Sequence, residues 1–222
     1  MDSRRYLELI LADSSALLTA VRRDPDAAVP SCPGWTARDL LGHVGQVYEH
    51  KTLCMTLGHA PLDEQRSSPA RQETELSAWF VEQRDALLEQ LTERGPVQQT
   101  FTWFPPDRTV GFWYRRMALE TAVHRVDAEL ATGTRTPVDP ELAVDGVDEL
   151  VGFLVHDFGD TPTRAAGAGR TVQLSCGQRR WLLTLRADGV DYAAEGTSVD
   201  ASTWGDPTAL TALASRLEDE TQ

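Results

Sequence analysis

Residues 110–131 have the sequence VGFWYRRMALETAVHRVDAELA, which predicts a long helix with ionisable groups on an otherwise apolar face. Glu120 and His124 are four residues apart, so their side chains project from one side of the helix, about one turn apart. Trp113 and Met117 share that side and should point into the core. Because burying an isolated charge is costly, the carboxylate and the imidazole must be paired, bind a metal or change protonation state.

A third candidate ligand lies on an earlier helix, which we predict over residues 36–57. His43 lies near Leu40 and Val44 on that helix, so it also faces the core. Two histidines and one glutamate supply three ligands and leave a fourth position open, as in catalytic zinc sites. Helical bundles build such sites from inward residues on facing helices. By spacing alone, hydrogen-bonded core residues are the commoner explanation, so both alternatives stay open at this point.

Helical periodicity continues through most of the chain before residue 160. We predict further helices over residues 3–22 and 73–94. A fifth helix should begin with Asp139 as N-cap and Pro140 at its first position. These segments together predict a helical domain over residues 1–160.

The C-terminal part has a different pattern. Residues 157–170 are rich in Gly, Ala and Thr and indicate a linker. The period then changes to two, and Asp188-Gly189 is typical of a hairpin turn. We therefore expect an α+β protein whose second, smaller domain covers residues 168–222. The elements predicted there are strands over 171–175, 181–185 and 199–204 and a short helix over 207–217.

Composition limits the classes of function. The chain has 222 residues, with 21 Lys+Arg against 34 Asp+Glu and a net charge of −13. This charge argues against nucleic acid and against anionic membrane surfaces as partners. We find no signal peptide and no apolar run long enough to span a bilayer. Three scattered cysteines, Cys32, Cys54 and Cys176, do not form a disulfide framework. We expect a soluble cytoplasmic protein with reduced thiols.

Several other residues could carry chemistry. His50 and Cys54 lie further along the helix of His43, where a second ligand set is conceivable but ordinary packing is favoured. Cys32 could be a reactive thiol, but no activating charge is evident beside it, so we expect it to be a small buried hydrophobe. The aromatic residues within 101–104 either line a pocket mouth or cover the end of the core, and the second is favoured.

Two stretches resemble a known family. Residues 29–44, VPSCPGWTARDLLGHV, and residues 120–129, ETAVHRVDAE, are similar to the signatures of the mycothiol-dependent maleylpyruvate isomerase family. That family belongs to the DinB-like metalloenzymes, so the resemblance implies an N-terminal four-helix bundle. It also implies that His43, Glu120 and His124 bind a divalent metal, usually zinc. The resemblance covers nearly the whole chain.

The tail is similar to the small C-terminal α+β domain of the same family. In the family this domain often closes with a leucine-rich helix that ends in Gly-Arg. Residues 210–216 here are LTALASR, so Ser215 stands where glycine is usual and the arginine is Arg216. The resemblance implies a role for Arg216 in binding an anionic substrate. Arg116 and Arg125 are further candidate counter-charges, although an ion pair at the surface explains Arg125 equally well.

The resemblance implies mycothiol as the thiol cosubstrate and a small electrophile as the substrate. A thiol bound at the open position of zinc loses its proton, and the thiolate can attack an electron-poor carbon. Addition, rotation and elimination give cis–trans isomerisation, as with maleylpyruvate, whereas stopping after attack gives an S-conjugate. Isomerase and thiol S-transferase therefore both stay open. We expect a monomer or a homodimer.

Two alternatives come from other classes. The first is a non-catalytic module that binds or senses a ligand and is stabilised by the metal. The second keeps the metal but uses bound water, which gives hydrolase chemistry. No general base is obvious beside the three candidate ligands, so hydrolase chemistry is the less favoured of the two alternatives.

Overall fold

The computed structural model describes residues 1–67, 73–156, 166–176, 179–193 and 201–204. Contacts divide the chain into two compact units, Met1–Thr136 and Pro137–Gln222. The architecture is α+β, as the sequence predicts, with a helical N-terminal unit and a small sheet in the second. The elements in chain order are α1 Ser3–Arg23, α2 Ala37–Leu57, a short 3-10 helix Asp63–Gln65, α3 Glu73–Arg94, α4 Val110–Ala131, α5 Pro140–His156, β1 Thr171–Cys176, β2 Arg179–Leu185, β3 Val190–Ala193 and β4 Ala201–Trp204.

Four helices form the bundle of the first unit. Helix α1 packs along α4, and α2 packs against both α3 and α4. Apolar side chains from all four helices meet in the interior, as the helical periodicity predicts. Fully buried examples are Ile10, Leu17, Leu40, Val44, Phe80, Leu87 and Met117.

Local signals fix the ends of α2. Thr36 and Asp39 form a capping box, in which each side chain accepts a hydrogen bond from the other residue's backbone N–H. At the other end Gly58 adopts a left-handed conformation with φ 75° and donates its N–H to the carbonyl of Cys54. Both signals are visible in the sequence, and the predicted limits of this helix are confirmed.

Helix α4 is the centre of the bundle. Every residue from Met117 to Glu129 is buried, including those outside the predicted apolar face. Polar side chains on all sides of α4 therefore need partners inside the protein, because an unpaired buried charge is costly. This burial positions the candidate site deep in the first unit.

The second unit consists of α5 and a four-stranded sheet in the order β3-β2-β1-β4. Strand β2 is antiparallel to β1 and β3, whereas β1 and β4 are parallel. The apolar stripe of α5 packs on the sheet, with Val147 and Val151 in one cluster with Leu174, Trp181 and Leu183. Asp148 of the same helix accepts a 2.7 Å hydrogen bond from the indole of Trp181.

This packing differs from the grouping expected from the sequence, which places α5 with the helical domain. The stripe of α5 is apolar, but its pattern does not say which surface covers it. The domain limits 1–160 and 168–222 stay a prediction, whereas contacts place α5 with the sheet. The predicted helix over 207–217 and Arg216 lie outside the described residues. Across the described ranges no helix is long and apolar enough to cross a membrane.

Candidate metal centre

The structure brings the three predicted ligands together. Glu120 and His124 project from α4 toward His43 of α2. Nε2 of His124 lies 3.1 Å from Oε1 of Glu120, and Nε2 of His43 lies 3.9 Å from the same oxygen. One ligand atom from each residue falls within 4.8 Å of the other two. Such spacing allows all three donors to reach one cation.

His43 supplies a direct test of whether the site fits a metal ion. Its Nε2 atom is buried and has no hydrogen-bond partner among the described residues. Its ring lies edge-on to that of His124, with 5.2 Å between the ring centres. A buried nitrogen without a partner costs free energy, so a ligand at this position would stabilise the protein. The donor set and the unsatisfied nitrogen both fit a divalent ion.

Arg116 binds the second carboxylate oxygen of Glu120. Its guanidinium lies 2.5 Å from Oε2 of Glu120, which leaves Oε1 facing the two histidines. Burial raises the pKa of Glu120, but the charge of His124 and its hydrogen bond, the nearby ring of His43 and the charge of Arg116 together hold it well below its usual value. Glu120 is therefore a carboxylate throughout the physiological range.

His124 is held from its other side by Asp127, one turn further along α4. Nδ1 of His124 lies 3.2 Å from Oδ2 of Asp127. Burial lowers the pKa of His124, but Glu120 and Asp127 outweigh burial and raise it to about 10 in the protein without metal. A proton on Nδ1 satisfies Asp127 and directs Nε2 toward the cluster. This arrangement is the carboxylate–histidine pair that orients ligands in many metal sites.

The loop before α2 contacts His43 directly and His124 through its partner Asp127. Ser31 donates a hydrogen bond to Oδ1 of Asp127, and the Trp35 ring lies edge-on to His43 with 5.0 Å between ring centres. The loop is closed by a bond from the N–H of Val29 to the carbonyl of Trp35. Gly34 has a φ of 88°, a left-handed backbone conformation that would be strained in a residue with a side chain. The loop therefore supports the site at two points.

Sequence reasoning missed these supporting residues. Asp127 was detectable, since a residue three positions after His124 lies on the same side of the helix. Ser31 and Trp35 lie inside residues 29–44, one of the two stretches that resemble the family. No spacing rule, however, links Ser31 in a loop to Asp127 on a helix, 96 residues away.

The predicted counter-charges have other partners. Arg125 is buried, and its guanidinium lies 3.0 Å from Asp13 and 2.9 Å from Glu129. The expectation of an ion pair is correct in kind, but the pair is in the interior and not at the surface. Arg116 is bound to the candidate ligand carboxylate. The position of Arg216 lies outside the described residues.

A second ligand set on α2 does not form. Nδ1 of His50 lies 3.6 Å from Sγ of Cys54, but in the described part of the chain only the cluster of three has the spacing for a metal. Burial raises the pKa of the Cys54 thiol to about 11. Cys32 is half-buried, so the expectation of a buried hydrophobe is wrong for it. Trp103 packs on Phe112 of α4, as expected for a loop that covers the core end.

Comparisons with known proteins identify the family and the fold. The family model for the mycothiol maleylpyruvate isomerase N-terminal domain matches residues 7–129. No curated protein matches the chain. A crystal structure of the mycothiol-dependent maleylpyruvate isomerase shares 14% sequence identity with a TM-score of 0.60, covering 96% of this chain and 89% of that chain. The crystal structure of a histidine-to-alanine mutant of that isomerase shares 13% sequence identity with this chain, with a TM-score of 0.59 and the same coverage of both chains. At this identity the likeness shows the fold.

Proposed function

The chain belongs to the family of the mycothiol maleylpyruvate isomerase N-terminal domain, and from this membership we propose that it is a metal-dependent enzyme that uses mycothiol to attack a small electrophile. The observation that carries the proposal is the convergence of three donors on one point, with the buried Nε2 of His43 lacking any other partner among described residues. Zinc is the proposed ion, because two imidazoles and one carboxylate form a set that it commonly takes.

The three donors differ in how far they are exposed. The His43 side chain is 28% exposed, whereas those of Glu120 and His124 are 10% and 4% exposed. Ligands from outside would therefore arrive on the side of His43. When bound, a zinc ion would lower the pKa of a thiol at its open position, so that the thiolate predominates at neutral pH.

The protein's own residues keep the donors in place. Arg116 occupies Oε2 of Glu120, so this carboxylate presents a single oxygen to the cluster. Asp127 holds the ring of His124 through Nδ1, which keeps Nε2 free of a proton when a cation is bound. Since these partners are buried, they require little reorganisation when a ligand arrives.

Two outcomes of thiol attack fit the proposal. In isomerisation the thiolate adds to a carbon–carbon double bond, the new single bond rotates, and elimination returns the thiolate with the trans alkene. In S-transfer the adduct is the product. The family favours isomerisation, and Arg216 is proposed to bind an anionic group of the substrate. We propose a cytoplasmic location, where small thiols stay reduced.

The test combines metal analysis with a thiol assay. Purified protein should hold about one zinc ion per chain, and His124→Ala should lose it. The matched control is His59→Ala, because His59 is exposed and, among the described residues, its ring bonds only to the neighbouring Ala60 carbonyl. Zinc-loaded protein is then mixed with mycothiol and maleylpyruvate, and separately with a generic electrophile.

We expect trans product or thiol consumption above the rate without protein, abolished by His124→Ala and retained by His59→Ala. Absence of stoichiometric metal would overturn the proposed centre. Zinc binding that raises the melting temperature, with no thiol chemistry above background, would instead support a non-catalytic ligand-binding module.

A further inference from the structure

The 21 basic residues of the chain are 20 arginines and a single lysine, Lys51. Lysine is normally an exposed residue. Lys51 lies on α2 and is only 5% exposed. A chain that otherwise uses arginine for every basic position thus places its one ammonium group in the interior of the bundle.

Lys51 differs from the other buried cations in its partners. In the described ranges the buried lysine and arginine residues are Lys51, Arg116 and Arg125. Both arginines form ion pairs with carboxylates, Arg116 with Glu120 and Arg125 with residues of α1 and α4. Lys51 forms none with any described residue. Among the described residues it is therefore the buried cation that has no ion-pair partner.

The contacts of Lys51 leave part of its hydrogen-bonding capacity unused. Its Nζ lies 3.2 Å from Nδ1 of His50 and 5.4 Å from the centre of the Trp113 ring. An ammonium group has three donors, whereas a neutral imidazole nitrogen accepts one bond and the indole face offers a cation–π contact. Burial lowers the pKa of Lys51, although Cys54 and Glu120 oppose this. An anion bound beside Nζ would offset this effect of burial and stabilise the charged form of Lys51.

The position of Lys51 relates it to the candidate metal centre. Lys51 comes eight residues after His43 on α2, and its contact Trp113 comes seven residues before Glu120 on α4. Lys51 and Trp113 therefore lie on the same seam between α2 and α4 as His43 and Glu120, about 10–12 Å further along the helix axes. Helical side chains lean toward the N-terminus of their helix, which for Lys51 is the direction of His43.

We propose that Lys51 binds a carboxylate group of the electrophilic substrate, which makes it a residue that determines specificity. The inference rests on the proposed function for the presence of an electrophile at the centre. With a net charge of −13, the protein surface repels anions, so an acidic substrate needs an interior cation to hold it. The compact charge of lysine suits a single carboxylate oxygen.

The first experiment measures binding without turnover. Succinate, an unreactive dicarboxylate, is titrated into zinc-loaded wild-type protein and into Lys51→Met, Lys51→Arg and the charge-matched control Arg4→Met, whose side chain is 87% exposed. We expect Lys51→Met to weaken succinate binding by about tenfold or more, Lys51→Arg to restore part of it and Arg4→Met to match the wild type. Equal affinities in the wild type and Lys51→Met would overturn the proposal.

The single lysine also provides a direct spectroscopic readout. Protein labelled with ¹³C-lysine gives one ε-methylene signal, which belongs to Lys51. Saturating succinate should shift this signal, and a signal that stays in place would overturn the proposal. Lys51→Met should fold with an equal or higher melting temperature, because it replaces an unpaired buried charge with an apolar side chain of similar length.

A third readout is substrate selectivity. For an electrophile offered as the free acid and as its methyl ester, Lys51→Met should lower the acid-to-ester ratio of kcat/KM relative to the wild type. An unchanged ratio would contradict the assignment. If the wild type consumes no thiol with either compound, the proposed function fails, whereas the succinate titration and the lysine signal still decide the role of Lys51.

Discussion

The hydroxyl of Ser31 donates a hydrogen bond to Asp127, a residue 96 positions further along the chain. Asp127 in turn accepts from the ring of His124, so a loop outside the bundle determines how a candidate ligand is oriented. The same loop places Trp35 against His43. The two histidines are therefore positioned by one loop as well as by their own helices.

We predict that Asp127→Asn weakens zinc binding by about 10- to 100-fold, because loss of a carboxylate that orients a metal-ligating histidine typically has this effect. Chelator competition on purified protein measures the change. The control is Asp26→Asn, since the Asp26 side chain is 78% exposed and its ion pair in the described part of the chain is with Arg38. Equal zinc affinity in Asp127→Asn and wild-type protein would contradict the role of Asp127 in orienting His124.

Gly45 allows the close approach of α2 and α3. A Cβ atom at this position would lie 2.3 Å from Cζ3 of Trp79, closer than real atoms pack. We predict that Gly45→Ala lowers the free energy of unfolding by about 1–3 kcal/mol through overpacking. Gly152→Ala on α5 is the control, because its Cβ would meet nothing within 4 Å and alanine favours helix. Urea unfolding measures both, and a neutral Gly45→Ala would show that Trp79 moves aside at little cost.

Much of the fold could be predicted from the sequence because the deciding signals are local. The capping box at Thr36 and Asp39 and the glycine after α2 fixed that helix without any tertiary information. Spacing also placed Glu120 and His124 on one side of α4. The partner of α5 could not be predicted, because an apolar stripe packs equally well on helices or on a sheet. The contact between Ser31 and Asp127 depends on the tertiary fold alone.

His50 should make the metal-free protein sensitive to mild acid. Burial, with the nearby charges of Lys51 and Arg66, lowers its pKa from 6.5 to about 4. Between these two values the unfolded chain binds a proton that the folded chain does not, so the free energy of unfolding falls as the pH decreases from 6.5 to 4. We predict that His50→Gln reduces this slope, measured by urea unfolding at several pH values.

The exposed residue His59 supplies the control for that experiment. His59→Gln should leave the pH dependence as in the wild type, since the hydrogen bond of the exposed His59 ring within the described ranges is to a neighbouring backbone carbonyl. Contributions from His124 and Glu120 are common to all three proteins and cancel in the comparison. Parallel slopes for His50→Gln and the wild type would mean that His50 is protonated equally in the folded and unfolded chains.

Arg125 should matter for stability and not for substrate binding. Its guanidinium is 2% exposed and joins Asp13 of α1 to Glu129 of α4. Arg125→Met would leave two carboxylates without their cation in the interior, and breaking a buried pair in this way typically costs about 3–5 kcal/mol. We therefore predict a large loss in the free energy of unfolding, with Arg4→Met at the surface close to neutral. Succinate affinity, measured below the unfolding transition, should stay within about twofold of the wild type. A weaker succinate affinity with unchanged stability would instead identify Arg125 as the substrate's counter-charge.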